Sequence, residues 1–323
     1  MTEQKTVVNS WNEWDPLKHV IVGRADGPMV TAPEPAIARD WPNHGFPLGT
    51  YGPLPKEMEE KANEQLDNFA RLLESRGIRV DRPTPLDFSQ KVQTPDWHQD
   101  SMFGCMPPRD VLLTVGNEIL EATLSQRSRW YDYLCYRPLL ARYFKGDPNF
   151  RWDAAPQPRL SEGTYKDDYW HKWKQKSQEE KNQAIYDRDW VLTEKEPCFD
   201  AADIARAGKD LFVYHSSVTN TAGFDWLRRH FPDHRFHSIW FYETNPIHID
   251  ATFVLLRPGL ALSNPVRKPL APNMLELFEK NGWEVVECAE PALDGYPPLS
   301  FCSKWLSMNT LMLDPKTICV DAQ

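Results

Sequence analysis

Two short segments hold the residue types best suited to chemistry. Residues 196–203 read Glu-Pro-Cys-Phe-Asp-Ala-Ala-Asp, and residues 245–250 read Asn-Pro-Ile-His-Ile-Asp. Together they supply Asp200, Asp203, His248 and Asp250. A planar guanidinium fork pairs bidentately with carboxylates, so inward-facing acids of this kind suit a guanidinium ligand. Burying two carboxylates near one another is unfavourable unless a cation joins them. An imidazole beside a carboxylate has its pKa raised and can shuttle protons. The chemistry indicated is the gripping of a guanidinium and the movement of protons around it. Each residue also has a plainer reading: His248 as a hydrogen-bonded core histidine, and Asp200 and Asp203 as turn or helix-capping acids.

These side chains have to be positioned by elements, and a repeat supplies them. Apolar β-formers interrupted by Gly, Pro, Asn or Asp predict hairpins at 111–122, 252–263 and 310–320. Weaker copies run from Ala201 to Tyr214, and from Asn9 through Asp15-Pro16 to Val22. Helical patterns follow at 58–75, 128–144, 224–231 and 274–280, most of them leading into a single strand. Hairpin, helix, strand is thus a pseudo-fivefold unit, which predicts a radial α/β architecture. The fifth hairpin ends near Val320 without its helix and strand, so the expectation is an incomplete last blade with an exposed edge and poor solubility. Asp110, Asp200 and Asp250 occupy comparable positions in successive units, which favours a shared pocket. Alternation along a strand starting at His248 is expected to put His248 and Asp250 on one face.

Composition limits the alternatives. The 323 residues carry a net charge of −9, which argues against nucleic acid or an anionic membrane as partner. No G-x-G-x-x-G or Walker-type loop is present, and no run approaches the length of a membrane span. Six scattered cysteines without a C-x-x-C pair fit reduced thiols rather than a disulfide framework. The polar stretch 1–10 holds no apolar signal sequence, and the expected location is the cytoplasm. His230, His234 and His237 have a spacing that invites a metal, but Pro232 interrupts any helix and three arginines surround them, so a surface or interface role is expected. The charged run 172–181 reads as a solvated helical face, Pro28 to Tyr51 as a long loop at a site rim, and the tryptophans as packing residues.

At 196–203 and 247–252 the chain resembles the glycine amidinotransferase family. The resemblance extends over 8–17, Pro108-Arg109-Asp110, 116–119, 262–265 and 303–309. It implies the pentein fold, a five-bladed α/β propeller, with residues 1–323 as one domain cut short at its C-terminal end. It also implies transfer of the amidino group of L-arginine to glycine or another amine through an amidino-cysteine intermediate, with ornithine released and no metal or organic cofactor. By match to the family's motifs, His248 is the general acid and base and Asp200 grips and orients the guanidinium. Asp110 and Asp250 contact the substrate, and Arg267 holds its carboxylate. Cys302 and Ser303 stand where the family has a substrate-contacting serine pair, so Cys302 is a departure. The family's nucleophile lies in a Gly-Gly-x-x-His-Cys segment that none of the six cysteines matches. The chain as written is therefore expected to be inactive, with Cys302 the only candidate substitute. An arginine deiminase-type hydrolase and a non-catalytic arginine-binding relative are the alternatives, and a homodimer is a candidate assembly.

Overall fold

A computed structural model of the chain describes residues 6–37, 51–244, 246–270, 272–291 and 303–320. Three units repeat one small sheet. In the first of these, Leu112–Val115 pairs antiparallel with Glu118–Glu121, which pairs parallel with Arg151–Ala154. The second joins Ile204–Ala207, Asp210–Tyr214 and Arg235–Ile239 in the same way. The third joins Phe253–Arg257, Leu260–Ser263 and Glu284–Glu287. A parallel third strand requires a crossover, and helices Arg137–Gly146, Thr221–His230 and Pro272–Lys280 provide it. The hairpin turns sit on glycines in the left-handed region, as at Gly208 (φ +70°) and Gly259 (φ +80°).

The first and last described units meet in space. His19–Ile21 pairs parallel with Arg79–Asp81 across helix Lys56–Ser75, and the last hairpin joins Leu311–Asp314 to Thr317–Cys319. Leu17 donates its backbone N–H to the Leu313 carbonyl at 2.8 Å. Val22, Leu73, Ile78 and Leu313 then share one apolar cluster. The last hairpin is thus seated against the first unit through its inner strand, while among the described strands Thr317–Cys319 pairs only with Leu311–Asp314. Burial of apolar surface is the main favourable term here. The largest cluster lies beneath the 112–154 and 204–214 sheets, and a second lies between the latter and the 253–287 unit.

Several local expectations need correction. Residues 9–12 do not fold back on 19–22. Ser10 bridges to Gly116 and Asn12 to Ala207, so this segment ties two units together. The pattern at 128–144 is not one helix. It holds two 3₁₀ turns, Arg127–Arg129 and Asp132–Cys135, before the α-helix Arg137–Gly146. Pro138 fits the first turn of that helix, where its missing N–H is no loss. The charged run splits into helices Tyr169–Gln175 and Gln178–Tyr186, the second started by a Ser177–Glu180 capping box.

Candidate active site

The candidate residues come from the starts of successive units. Asp110 lies in the short helical turn Pro108–Val111, and Asp200 directly precedes the 3₁₀ turn Ala201–Asp203. Asp200 makes no side-chain capping bond, so the plainer capping reading fails for it. His248 precedes its unit's first strand by several residues and does not begin a strand. Its φ of +62° puts a non-glycine residue in the left-handed region. Such a conformation is unfavourable in itself and persists where surrounding contacts hold it. Ile249 N–H to Ala202 O at 3.2 Å, and Phe253 N–H to Ile249 O at 2.8 Å, fix the loop on either side. Strand alternation therefore does not explain why His248 and Asp250 face the same region; a pinned turn does.

His248 is the centre of the arrangement. Its Nε2 lies 3.0 Å from Asp200 Oδ2, and its Nδ1 lies 3.7 Å from Asp110 Oδ1. Burial works against the imidazolium, but Asp110, Asp200 and Asp203 together outweigh it and lift the histidine to about 10. At neutral pH His248 is thus a cation. Burial pushes Asp110 up, yet His248 and Arg129 reverse that and leave it below the usual carboxylate range. Burial raises Asp250, which accepts a hydrogen bond from Asn309 Nδ2 at 2.9 Å. Asp203 turns away from the imidazole. Its Oδ2 accepts from Ser216 Oγ at 2.6 Å and from Thr219 Oγ1 at 2.5 Å, and burial raises it to about 7.

Arg267 is held by the segment that follows His248. Its Nη1 donates to Thr252 Oγ1 at 2.7 Å and Ala251 O at 3.1 Å, and its Nη2 to Ser303 Oγ at 3.2 Å. Glu243 Oε1 sits 2.8 Å from the same Nη2, and burial raises Glu243 to about 7 despite that cation. Cys302 and Asn245 lie outside the described residues. Burial pushes the thiols of Cys198, Cys288 and Cys319 up, away from the thiolate that a nucleophile needs.

Sequence reading missed Arg129, Asp132, Glu243 and Asn309, which lie outside the two motifs and reach the site only through the fold. Glu196, inside the first motif, is structural: it accepts from Arg159 N, Leu160 N and Thr164 Oγ1. The three clustered histidines separate. His230 bonds to Glu118, His234 stacks on Trp11, and His237 pairs with Asp210. Among the described residues one group of three ligand types does converge, Glu118, Asp153 and His230, but Arg151 already sits 2.9 Å from Glu118.

No family model matches the chain. The mitochondrial glycine amidinotransferase of Danio rerio is 42% identical over 325 residues, covering 99% of this chain and 75% of that one. The L-arginine:L-lysine amidinotransferase of Pseudomonas savastanoi pv. phaseolicola is 39% identical, covering 99% of this chain and 84% of its own. A solved amidinotransferase of saxitoxin biosynthesis from Microseira wollei superposes with a TM-score of 0.81 at 36% identity, over 97% of this chain and 85% of that one. The fold is that of the penteins, and the protein is a transferase by class. Within that class the chain belongs to the glycine amidinotransferase family. The same comparison overturns the expected cytoplasmic location, since the Danio rerio, Gallus gallus and Xenopus tropicalis relatives are all named mitochondrial. The polar stretch 1–10 argued only against a secretory signal; organelle-targeting segments are amphipathic and need no apolar run.

Proposed function

We propose that this protein moves the amidino group of L-arginine to a primary amine, with glycine as the default acceptor, and releases ornithine. The observation that carries the reading is His248 set between Asp200 at 3.0 Å and Asp110 at 3.7 Å, with Asp250 among the carboxylates around it. In this reading Asp110 and Asp250 receive the substrate guanidinium, and Asp200 holds and orients both it and His248. Arg267 and Ser303 take the α-carboxylate.

A cysteine thiolate attacks the guanidino carbon, and the bond from that carbon to the ornithine nitrogen breaks. His248, protonated in the resting site, gives its proton to that nitrogen so that ornithine leaves as a neutral amine. The amidino group stays on sulfur. The acceptor amine then attacks the same carbon, His248 takes up the amine's proton, and the thiolate leaves. A histidine near 10 suits the first half as an acid. The arriving guanidinium, as a second cation, lowers it again and prepares it to act as a base.

The test is incubation of the protein from its complete reading frame with arginine and glycine. Ornithine together with a guanidino product supports the transfer; citrulline without ornithine refutes it and favours the hydrolase. His248→Ala should lower kcat by roughly 10²-fold or more. Wild-type turnover in that variant would remove His248 from the mechanism.

A further inference from the structure

Behind Asp110 lies a line of buried charge that neither motif contains. Arg129 Nη1 donates to Asp110 Oδ2 at 2.8 Å, while Arg129 Nε donates to Asp132 Oδ2 at 2.9 Å. The Arg129 and Asp132 side chains are 5% and 1% exposed, so this is interior rather than surface pairing. The two residues stand three apart across consecutive 3₁₀ turns, a spacing that stacks side chains on one side at three residues per turn. The Arg129 guanidinium also lies over the Phe103 ring at 4.9 Å, which limits its sideways movement. Its remaining Nη2 is buried without a hydrogen-bond partner, and its charge acts on Asp200 as well.

Such a line is poor value as a stabilising device. Buried ion triads are commonly matched or exceeded in stability by apolar residues of the same volume. What it does provide is geometry. With Oδ2 held by Arg129, Asp110 has Oδ1 left, and that oxygen is the one 3.7 Å from His248. Asp132 in turn fixes the guanidinium fork that holds Oδ2, although burial pushes Asp132 itself up to about 7. We infer that Arg129, seated by Asp132, is a positioning residue that aims the free oxygen of Asp110 at the substrate guanidinium. This rests on the reading of Asp110 as a substrate contact.

The experiment uses Asp132→Asn, Arg129→Lys and Asp110→Asn in the protein from its complete reading frame, with arginine kcat/KM, its pH profile and Tm measured for each. Asp132→Asn keeps the shape and removes the charge. Arg129→Lys keeps the charge, but one ammonium cannot serve both carboxylates in the fork geometry. Both should lower arginine kcat/KM by roughly 10–100-fold, the scale of a misplaced contact near the reacting atoms, with most of the loss in KM. In Arg129→Lys the acid limb of kcat/KM should also move to higher pH. The cations acting on Asp110 are His248, Arg129 and Arg109, and the carboxylates of Asp132 and Asp250 face it as well; weakening the Arg129 contact lets the Asp110 carboxylate protonate sooner. A lowered Tm with unchanged kcat/KM and pH profile in both variants would make the pair merely structural and overturn the inference. A silent Asp110→Asn would overturn the underlying reading of Asp110, an outcome separate from silent variants at 129 and 132 beside a crippled Asp110→Asn.

Discussion

Replacing Asp200 by Asn should uncouple His248 from its strongest hydrogen-bond partner and change its titration measurably. At 3.0 Å two opposite charges interact by about 5 kcal/mol at an effective dielectric near 20. Asparagine keeps a hydrogen-bond acceptor and Asp110 remains at 3.7 Å, so only part of that is lost. A carboxylate neighbour typically moves such a group by about 1–3 pH units, which places His248 in Asp200→Asn roughly 2 below its wild-type value of about 10. The assay is an NMR titration of the ring carbon Cε1 in protein labelled at histidine. Stability gives an independent view. Because the folded value exceeds the ordinary 6.5, the stabilisation from the imidazolium is complete below about 6.5 and is lost as pH rises through about 10. Urea melts of the wild type should therefore weaken over that interval, and those of Asp200→Asn should weaken less. A His248 titration within half a unit of wild type in Asp200→Asn would refute the idea that this contact holds the imidazolium.

Other perturbations test the scaffold. Glu13 and Arg206 are paired at 2.9 Å, and although burial opposes it, Arg206 and Arg109 hold Glu13 down at about 2. Arg206→Met should cost about 3 kcal/mol at neutral pH, the low end for a broken buried pair, because Glu13 keeps only the more distant Arg109 at 4.0 Å. The Glu13 contribution is present above about 4.5 and lost as pH falls through about 2, so urea melts of variant and wild type should converge in acid. Asn220 caps helix Thr221–His230 through Gly223 N at 2.8 Å, accepts from Cys198 N, and donates to Thr193 O and Glu196 O. Asn220→Ala should therefore lose about 2–3 kcal/mol in urea melts, above the ~1 kcal/mol of a plain cap. In Gly23→Ala the new Cβ would stand 1.8 Å from Met106 O, forcing backbone apart, and its Tm should fall well below that of a surface control.

The legible part of this molecule was the part written in local patterns. Hairpin turns at Gly116, Gly208 and Gly259 and the apolar runs beside them marked three sheets, and the spacing of Asp110, Asp200 and Asp250 along the repeat pointed to one region. Patterns failed where long-range contacts decide the backbone. His248 adopts its left-handed turn because Ala202, far along the chain, accepts from Ile249. The helical periodicity at 128–144 gave way to 3₁₀ turns where Arg129 and Asp132 reach inward to the site. Arg129, Asp132 and Glu243 carried no motif of their own, and a charged residue in sequence reads as surface until a buried partner is seen.

The contact between Leu17 and Leu313 imposes an order on synthesis and assembly. Leu17 has to wait until Leu313 has been translated before this backbone partner exists. Closing so long a loop forfeits considerable chain entropy, though the increment grows only logarithmically with length. Middle units can pack as they emerge, whereas the first strand pair stays provisional until the last hairpin arrives. Closure of the Leu17–Leu313 contact should therefore come late, with residues 17–22 among the last to gain protection from hydrogen exchange during refolding, while residues 9–12 pair earlier with the middle units.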